Sequence, residues 1–175
     1  MLPRFPRGGF VRPVFRIVPF VLAFSATIPA AGTAKAVLWF EPEHETGRLR
    51  GVEGAVDDFF AADNQNDIDR LELLFEEEGV WLPPTGEVVT GRRAIAAWYR
   101  ARHVRWTPAL SAALVDLRVD KTTAVVHGAA RGSLVPACGG AAVAVDDRFV
   151  MILSLDRQNA WKVTRLLWRR GASSG

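Results

Sequence analysis

The first apolar pattern along the chain has the spacing of a helix. Between positions 51 and 60, apolar residues recur every three or four positions, so they share one face of a first predicted helix. These residues are Val52, Ala55, Val56, Phe59 and Phe60. Asp67 is suited to cap a short second helix, which would carry Ile68, Leu71, Leu74 and Phe75. That helix should end before Glu76–Glu78, because carboxylates are unfavourable beside the negative end of a helix dipole.

A third helix is predicted after Gly91. Ile95, Trp98 and Tyr99 give it one apolar stripe, and five arginines surround the remainder. The arginines are Arg92, Arg93, Arg100, Arg102 and Arg105. Such a row favours a solvated helix face over an anion-binding site.

From position 108 onward the period of the pattern changes to two. Val115, Leu117 and Val119 alternate with charged residues, which indicates a strand with one buried and one solvated face. The other predicted strands are 79–82, 87–90, 122–134, 143–155 and 161–169. Turn residues at 156–159 join the last two strands as a hairpin, and Asp146 and Asp147 are interpreted as caps of backbone N–H groups at a turn.

Helices followed by antiparallel strands predict an α+β fold, with helices on one face of a curved sheet. The length of 175 residues fits one domain, and a hydrophobic fraction of 49% indicates a packed core. We divide the chain into a leader at 1–36, a connector at 37–50, the domain at 51–170 and a disordered tail at 171–175.

The leader has the three parts of a secretory signal. A basic segment is followed by the apolar run 17–31 and by an A-x-A site at 34–36. The run is short and interrupted by Pro19 and Pro29, which favours cleavage after Ala36 over a membrane anchor. A Sec-type export to the periplasm or outside the cell is therefore predicted, with an uncleaved anchor or a mis-assigned start codon as the alternatives.

The positive formal charge of +3 belongs to the leader. Five of the 22 basic residues and none of the 19 acidic ones lie in residues 1–36. The remainder therefore has 17 basic and 19 acidic residues, a formal charge of −2. This balance argues against a nucleic-acid partner, and no membrane association is expected after cleavage.

Several segments together resemble a SnoaL-like domain of the nuclear-transport-factor-2-like superfamily. The first half of that domain is similar to the runs 59–67, 74–75, 79–84 and 91–95, and the last strand is similar to 161–168. The resemblance implies a cone-shaped, cystatin-like roll in which a bent antiparallel sheet wraps around three N-terminal helices. It also implies an apolar pocket at the open end and frequent homodimerisation through the sheet.

The family includes ketosteroid isomerases, polyketide cyclases and dehydratases, and the resemblance places three isomerase positions in this chain. Pro83 falls where a carboxylate base is expected, Phe59–Phe60 where a tyrosine is expected, and Met151 where an acid donor is expected. These departures argue against the isomerase reaction.

Two polar residues interrupt otherwise apolar strands. His127 is a candidate catalytic base or ligand donor, with a structural histidine as the alternative, and Arg165 is a candidate ligand-binding residue. Arg165 shares its parity with Trp161, Val163 and Leu167, so we expect it to point into the cone, and we expect His127 to point there as well. The alternative is an ion pair of Arg165 with one of the three carboxylates Asp58, Asp146 or Asp147.

Trp81 and Tyr99 are further candidates for the pocket lining, or else for the core. His44, His103 and His127 show no metal-ligand spacing, Cys138 is interpreted as an incidental loop thiol, and no cofactor motif is found. We expect no cofactor and no metal. The predicted function is binding of a small, largely apolar or carbonyl-bearing molecule, with isomerase-, cyclase- or dehydratase-type chemistry open. The alternative is a catalytically silent dimerising module whose pocket its own aromatic side chains fill.

Overall fold

The computed structural model describes residues 42–171, with side chains from Thr46 onward. The predicted signal peptide, its cleavage site and residues 172–175 of the predicted tail lie outside this range. The helices are α1 (Pro42–Asn64), α2 (Ile68–Leu74) and α3 (Arg92–His103). The strands are β1 (Phe75–Leu82), β2 (Val89–Thr90), β3 (Trp106–Val119), β4 (Thr123–Pro136), β5 (Val143–Leu155) and β6 (Trp161–Arg169). Within the described range, none of the helices has both the length and the apolar character that crossing a membrane requires.

Helix α1 begins at Pro42, ten residues before Val52, the first residue of its apolar pattern. It starts at Pro42, whose restricted φ suits the first position of a helix, so the prediction of a connector over 42–50 is wrong from that residue onward. Thr46, Gly47 and Arg48 are exposed. These three residues therefore contribute nothing to an apolar stripe, and no periodicity marked this part of the helix in the sequence.

A tight turn joins α1 to α2. Asn66 adopts a positive φ of 56°, and the side chain of Asp67 accepts a hydrogen bond from the backbone N–H of Arg70 at 3.1 Å. The predicted cap is thus confirmed. The side-chain amide of Asn64 donates to the backbone oxygen of Leu110 at 2.7 Å and accepts from its N–H at 2.8 Å. These two bonds attach the end of α1 to β3.

Helix α2 ends at Leu74, before the acidic run, as predicted. Phe75 was expected in the helix, but it begins β1 and pairs with Val163 of β6. In the extended conformation Phe75 is buried while Glu77 and Glu78 are exposed. The strand therefore separates an apolar side chain from the carboxylates that follow it.

The strands form one curved, unclosed sheet in the order β2-β1-β6-β5-β4-β3. All pairs are antiparallel except β1 with β6, which run parallel. Three helices and this sheet confirm the predicted α+β class. The core lies between the helices and the helix-facing side of the sheet, and much of it is aromatic. Its largest fully buried side chains are Trp81, Tyr99, Phe59, Phe75 and Phe149.

A β-bulge in β6 reverses the expected direction of Arg165. Leu153 of β5 pairs with Val163 and the adjacent Ile152 pairs with Arg165, so Thr164 is an extra residue. The hydroxyl of Thr164 donates to the backbone oxygen of Ile152 at 3.1 Å. Past the bulge the side-chain parity changes, and Arg165 is exposed on the side of the sheet away from the core. The prediction that Arg165 points into the cone is therefore wrong.

His127 is exposed on this outer side as well. Its neighbours along β4, Val126 and Gly128, are buried against the core. It lies between Asp116 of β3 and Val150 of β5. Because both parities of central β4 are apolar in sequence, the pattern could not tell the two faces apart, and the expected inward direction of His127 is wrong.

Candidate functional site

A cavity of about 370 Å3 opens between α3 and the sheet. Every strand of the sheet except β2 contributes to its wall, as does the turn that follows β1. The main aromatic and apolar lining residues are Trp81, Trp98, Tyr99, Trp106, Trp168, Leu110, Leu134 and Val145. The charged lining residues are Arg102, Arg105, Arg170 and Asp147. The predicted pocket is therefore present, and its wall combines aromatic rings with a few charged groups.

The aromatic wall is held together by ring contacts. Trp81 stacks on Tyr99 with ring centroids 5.8 Å apart, and it makes edge contacts with Trp98 at 5.5 Å and with Trp168 at 5.8 Å. Trp168 in turn stacks on Phe149 at 5.7 Å. Such contacts restrict ring motion, so the wall presents a preformed surface to a ligand.

The indole nitrogen of Trp81 is a buried donor without an acceptor. The residue is 2% exposed, and its Nε1 has no hydrogen-bond partner within the described part of the chain. A buried donor that stays unpaired costs about 1 to 3 kcal/mol. Trp81 lines the cavity, so an acceptor oxygen of a bound molecule would remove this cost if it reached Nε1.

A buried ion pair supports one end of the cavity. Asp63, 1% exposed, comes from the end of α1 and accepts two hydrogen bonds from Nη1 of Arg102, at 2.8 and 3.0 Å. Nε2 of His103 lies 3.0 Å from the same carboxylate. The guanidinium of Arg102 also lies over the ring of Tyr99, 5.5 Å from its centroid. Asp63 therefore fixes the position of a cavity-lining arginine and compensates its charge.

Tyr99 is the only tyrosine of the chain, and its surroundings disfavour ionisation. Burial raises the pKa of the Tyr99 hydroxyl well above its usual value, and the negative charge of Asp63 raises it further. The positive charge of Arg102 acts in the opposite direction but does not prevail. The hydroxyl is thus a neutral group at ordinary pH.

Asp147, in the first half of β5, forms another part of the wall. One carboxylate oxygen accepts a hydrogen bond from Nε1 of Trp168 at 2.9 Å, and the other accepts from the backbone N–H of Gly171 at 3.0 Å. The prediction that Asp147 accepts hydrogen bonds from backbone N–H groups is thus met in part. The donor is Gly171, which the sequence interpretation assigned to the tail. Asp147 connects the last strand to the segment that follows it.

Arg105 and Arg170 line the cavity and are exposed, so they lie at its opening. Neither takes part in an ion pair with another described residue.

The carboxylates expected to pair with Arg165 have other partners. Asp58 pairs with Arg70, and Asp146 pairs with Arg131 and Arg148. Arg165 itself donates to the backbone oxygen of Thr164 at 2.8 Å.

Two of the four predicted site residues lie in the cavity wall. Trp81 and Tyr99 line it, whereas His127 and Arg165 lie on the outer face of the sheet. The sequence interpretation missed Asp63, although a signal was present, because Asp63 continues the apolar face of α1 one turn after Phe59.

The expected isomerase positions contribute little to the wall. Phe59, Phe60 and Met151 belong to the buried core, and the turn after β1 presents Pro84 and Thr85. Among the described residues, no three His, Cys, Asp or Glu side chains are close enough together to hold a metal ion.

A family model describing the SnoaL-like domain matches residues 56–162. This segment runs from the middle of α1 to the beginning of β6, and it includes most of the cavity lining. No curated protein matches the chain.

Solved structures of low sequence identity share the fold. A ketosteroid isomerase-like protein from Erwinia carotovora atroseptica is 17% identical, and the match covers 70% of this chain and 95% of that one with a TM-score of 0.66. A nuclear transport factor 2-like superfamily protein from Salmonella enterica serovar Typhimurium is 14% identical, covering 75% and 96%, with a TM-score of 0.65. An uncharacterised protein with a cystatin-like fold from Caulobacter vibrioides is 17% identical, covering 71% and 90%, with a TM-score of 0.58.

Proposed function

The chain belongs to the SnoaL-like domain family, and we propose that it binds a small, largely apolar molecule with an oxygen acceptor in the cavity between α3 and the sheet. Members of this family often bind small molecules or act as isomerases or dehydratases. Fold alone does not select among these roles, so the proposal depends on the cavity.

The observation that carries the proposal is an open aromatic cavity with one unsatisfied donor. A filled cone would have favoured the silent-module alternative, but about 370 Å3 of space remains inside the ring of aromatic side chains. This volume falls in the usual range for small-molecule sites. The buried Nε1 of Trp81 adds a directional requirement, since a ligand that supplies a carbonyl or hydroxyl oxygen would relieve an unpaired donor.

Calorimetric titration with a matched pair of bicyclic compounds tests this proposal. Tetralone carries a carbonyl oxygen, and tetralin has the same rings without it. We expect both to bind, with tetralone favoured by about fivefold, the value of one neutral hydrogen bond. The substitution Trp81→Phe should remove that preference, because it deletes the indole N–H and keeps an aromatic ring.

The control variant is Trp161→Phe, which changes a buried tryptophan outside the cavity lining. It should retain the preference for tetralone. If neither compound binds the wild-type protein or shifts its melting temperature, the proposed function is wrong and the silent-module alternative gains support.

Proton-transfer chemistry is a second candidate, and one observation favours it. Asp147 places a carboxylate in the cavity wall, and each of its oxygens retains a lone pair beyond the bonds from Trp168 and Gly171. A carboxylate in a largely apolar pocket can serve as the general base that cofactor-independent enolisation or dehydration requires. With a substrate that turns over, Asp147→Asn should abolish turnover and leave binding largely intact. A fully active Asp147→Asn variant would remove Asp147 from the chemistry.

We also propose that two copies associate through the outer face of the sheet. This face carries apolar side chains that no helix covers, among them Val125 and Leu167, each 40% exposed, and the half-buried Val150 and Ile152. A second copy would bury them symmetrically. Arg165 and His127 would then lie at the interface instead of in the ligand site.

A further inference from the structure

We infer that the cavity selects an aromatic acid, whose carboxylate is held at the opening by Arg105 and Arg170 while its rings lie among the aromatic side chains. This inference rests on the proposed function and narrows it to one chemical class. Its basis is the imbalance of charge around the cavity.

The charged lining residues are three arginines and one aspartate. The aspartate, Asp147, already accepts hydrogen bonds on both carboxylate oxygens, and its carboxylate forms no ion pair with an arginine in the described residues. One further carboxylate, Asp63, lies behind the wall and offsets Arg102. The cavity therefore keeps an excess of positive charge after both carboxylates are counted, which favours an anionic ligand over a neutral or cationic one.

The excess is located at the opening. Arg105 follows α3 and Arg170 follows β6, so two residues that are distant in sequence both line the same cavity. Neither has a carboxylate partner among the described residues. Guanidinium groups bind carboxylates with paired hydrogen bonds, and such charge-assisted bonds are stronger than neutral ones.

Arg102 adds a third, better-positioned donor. Both hydrogen bonds to Asp63 come from Nη1. Nε and Nη2 make no hydrogen bond to any described residue, so they remain able to donate into the cavity. The side chain is 15% exposed and is held from behind by Asp63 and from one side by the ring of Tyr99. Little side-chain entropy would be lost when such a preorganised group binds an anion.

The remainder of the wall requires a planar apolar body. Five aromatic residues contribute to it: Trp81, Trp98, Tyr99, Trp106 and Trp168. Aromatic walls stabilise flat rings by stacking and edge contacts, so they favour a planar aromatic body over a flexible aliphatic one. An aromatic carboxylate satisfies both parts of the cavity, whereas a phosphate ion or a short aliphatic acid satisfies only the opening.

Naphthoate and its neutral amide, naphthamide, form a matched pair for calorimetric titration. We expect naphthoate to bind the wild-type protein about tenfold more tightly than naphthamide, the advantage typical of charge-assisted hydrogen bonds. In the double variant Arg105→Gln/Arg170→Gln the dissociation constant of naphthoate should rise by about tenfold, and that of naphthamide should change by less than about twofold. The control Arg157→Gln removes an exposed arginine from the β5–β6 turn and should alter neither value.

Three results are distinguishable. Naphthamide binding as tightly as naphthoate, or a double variant that holds naphthoate as well as the wild type does, would overturn the anion preference and leave the proposed function standing. If neither compound binds, the proposed function fails and this inference fails with it. Circular dichroism of the double variant confirms that it is folded before either result is interpreted.

Discussion

Replacing Asp63 by Ala should destabilise the domain far more than the loss of an ordinary surface carboxylate. The substitution leaves Arg102 and His103 without their shared partner. All three residues are largely buried, because Asp63 is 1% exposed and the side chains of Arg102 and His103 are 15% and 5% exposed. Removing one member of a buried ion pair costs about 3 to 5 kcal/mol. Because Arg102 lies at a cavity and can regain some hydration, we expect about 3 kcal/mol, near the lower end.

Equilibrium urea unfolding measures this cost, and a thermal melt should show a decrease of roughly 10 °C for a domain of this size. The matched control is Asp58→Ala, which breaks the exposed ion pair with Arg70 and should cost less than about 1 kcal/mol. A second variant, Asp63→Ala with Arg102→Met, should be more stable than Asp63→Ala alone, because it leaves no unpaired buried guanidinium.

The reasoning is refuted if Asp63→Ala costs no more than Asp58→Ala. It also fails if adding Arg102→Met to Asp63→Ala lowers the stability further by the full cost of a second independent substitution. Either result would mean that the buried carboxylate contributes nothing specific to the cavity wall.

Three further predictions concern the single tyrosine, the sheet face and the leader. Because the pKa of Tyr99 is raised in the folded state, the neutral Tyr99 hydroxyl contributes to stability below about pH 10, and this contribution is lost as the pH rises above that value. Urea unfolding between about pH 9 and pH 11 should show a decline in the free energy of unfolding of the wild type and a smaller decline in Tyr99→Phe. Sedimentation should show a dimer at micromolar concentration that Leu167→Lys dissociates and that Leu73→Lys, at an exposed position of α2, leaves intact; a monomeric wild type would contradict this. Intact-mass measurement of the exported protein should show cleavage after Ala36, and a retained leader would contradict it.

The hairpin at the end of the chain was predictable because its pattern is local. The predicted bounds of β5 and β6, 143–155 and 161–169, are those of the structure. Apolar runs and the turn residues between them carried that information, since each strand buries one face along most of its length. The start of α1 was not predictable by the same means, because residues 42–50 show no apolar periodicity in the sequence.

The site was predictable only where residues differ in kind from their neighbours. Trp81 was identified because large aromatic residues lie in cores or pockets, and Asp63 could have been identified as a charge on the apolar face of α1. The sequence could not distinguish Arg102 from the exposed arginines near it, because Arg102 differs from them only in its contact with Asp63, a carboxylate on another helix. Arg165 was misplaced because a bulge leaves no compositional mark in a strand.

The bulge at Thr164 also has an evolutionary consequence. Deleting Thr164 would restore strict alternation along β6 and keep Leu166 and Trp168 toward the core, whereas a regular strand that retained a residue at this position would turn Arg165 and Leu167 toward the core instead. A relative that had lost this single codon would therefore keep the same side chains on each face of β6. Alignments of this family therefore need a gap opposite Thr164 wherever a relative lacks the bulge, because an ungapped alignment would assign the residues beyond it to the wrong side of the sheet.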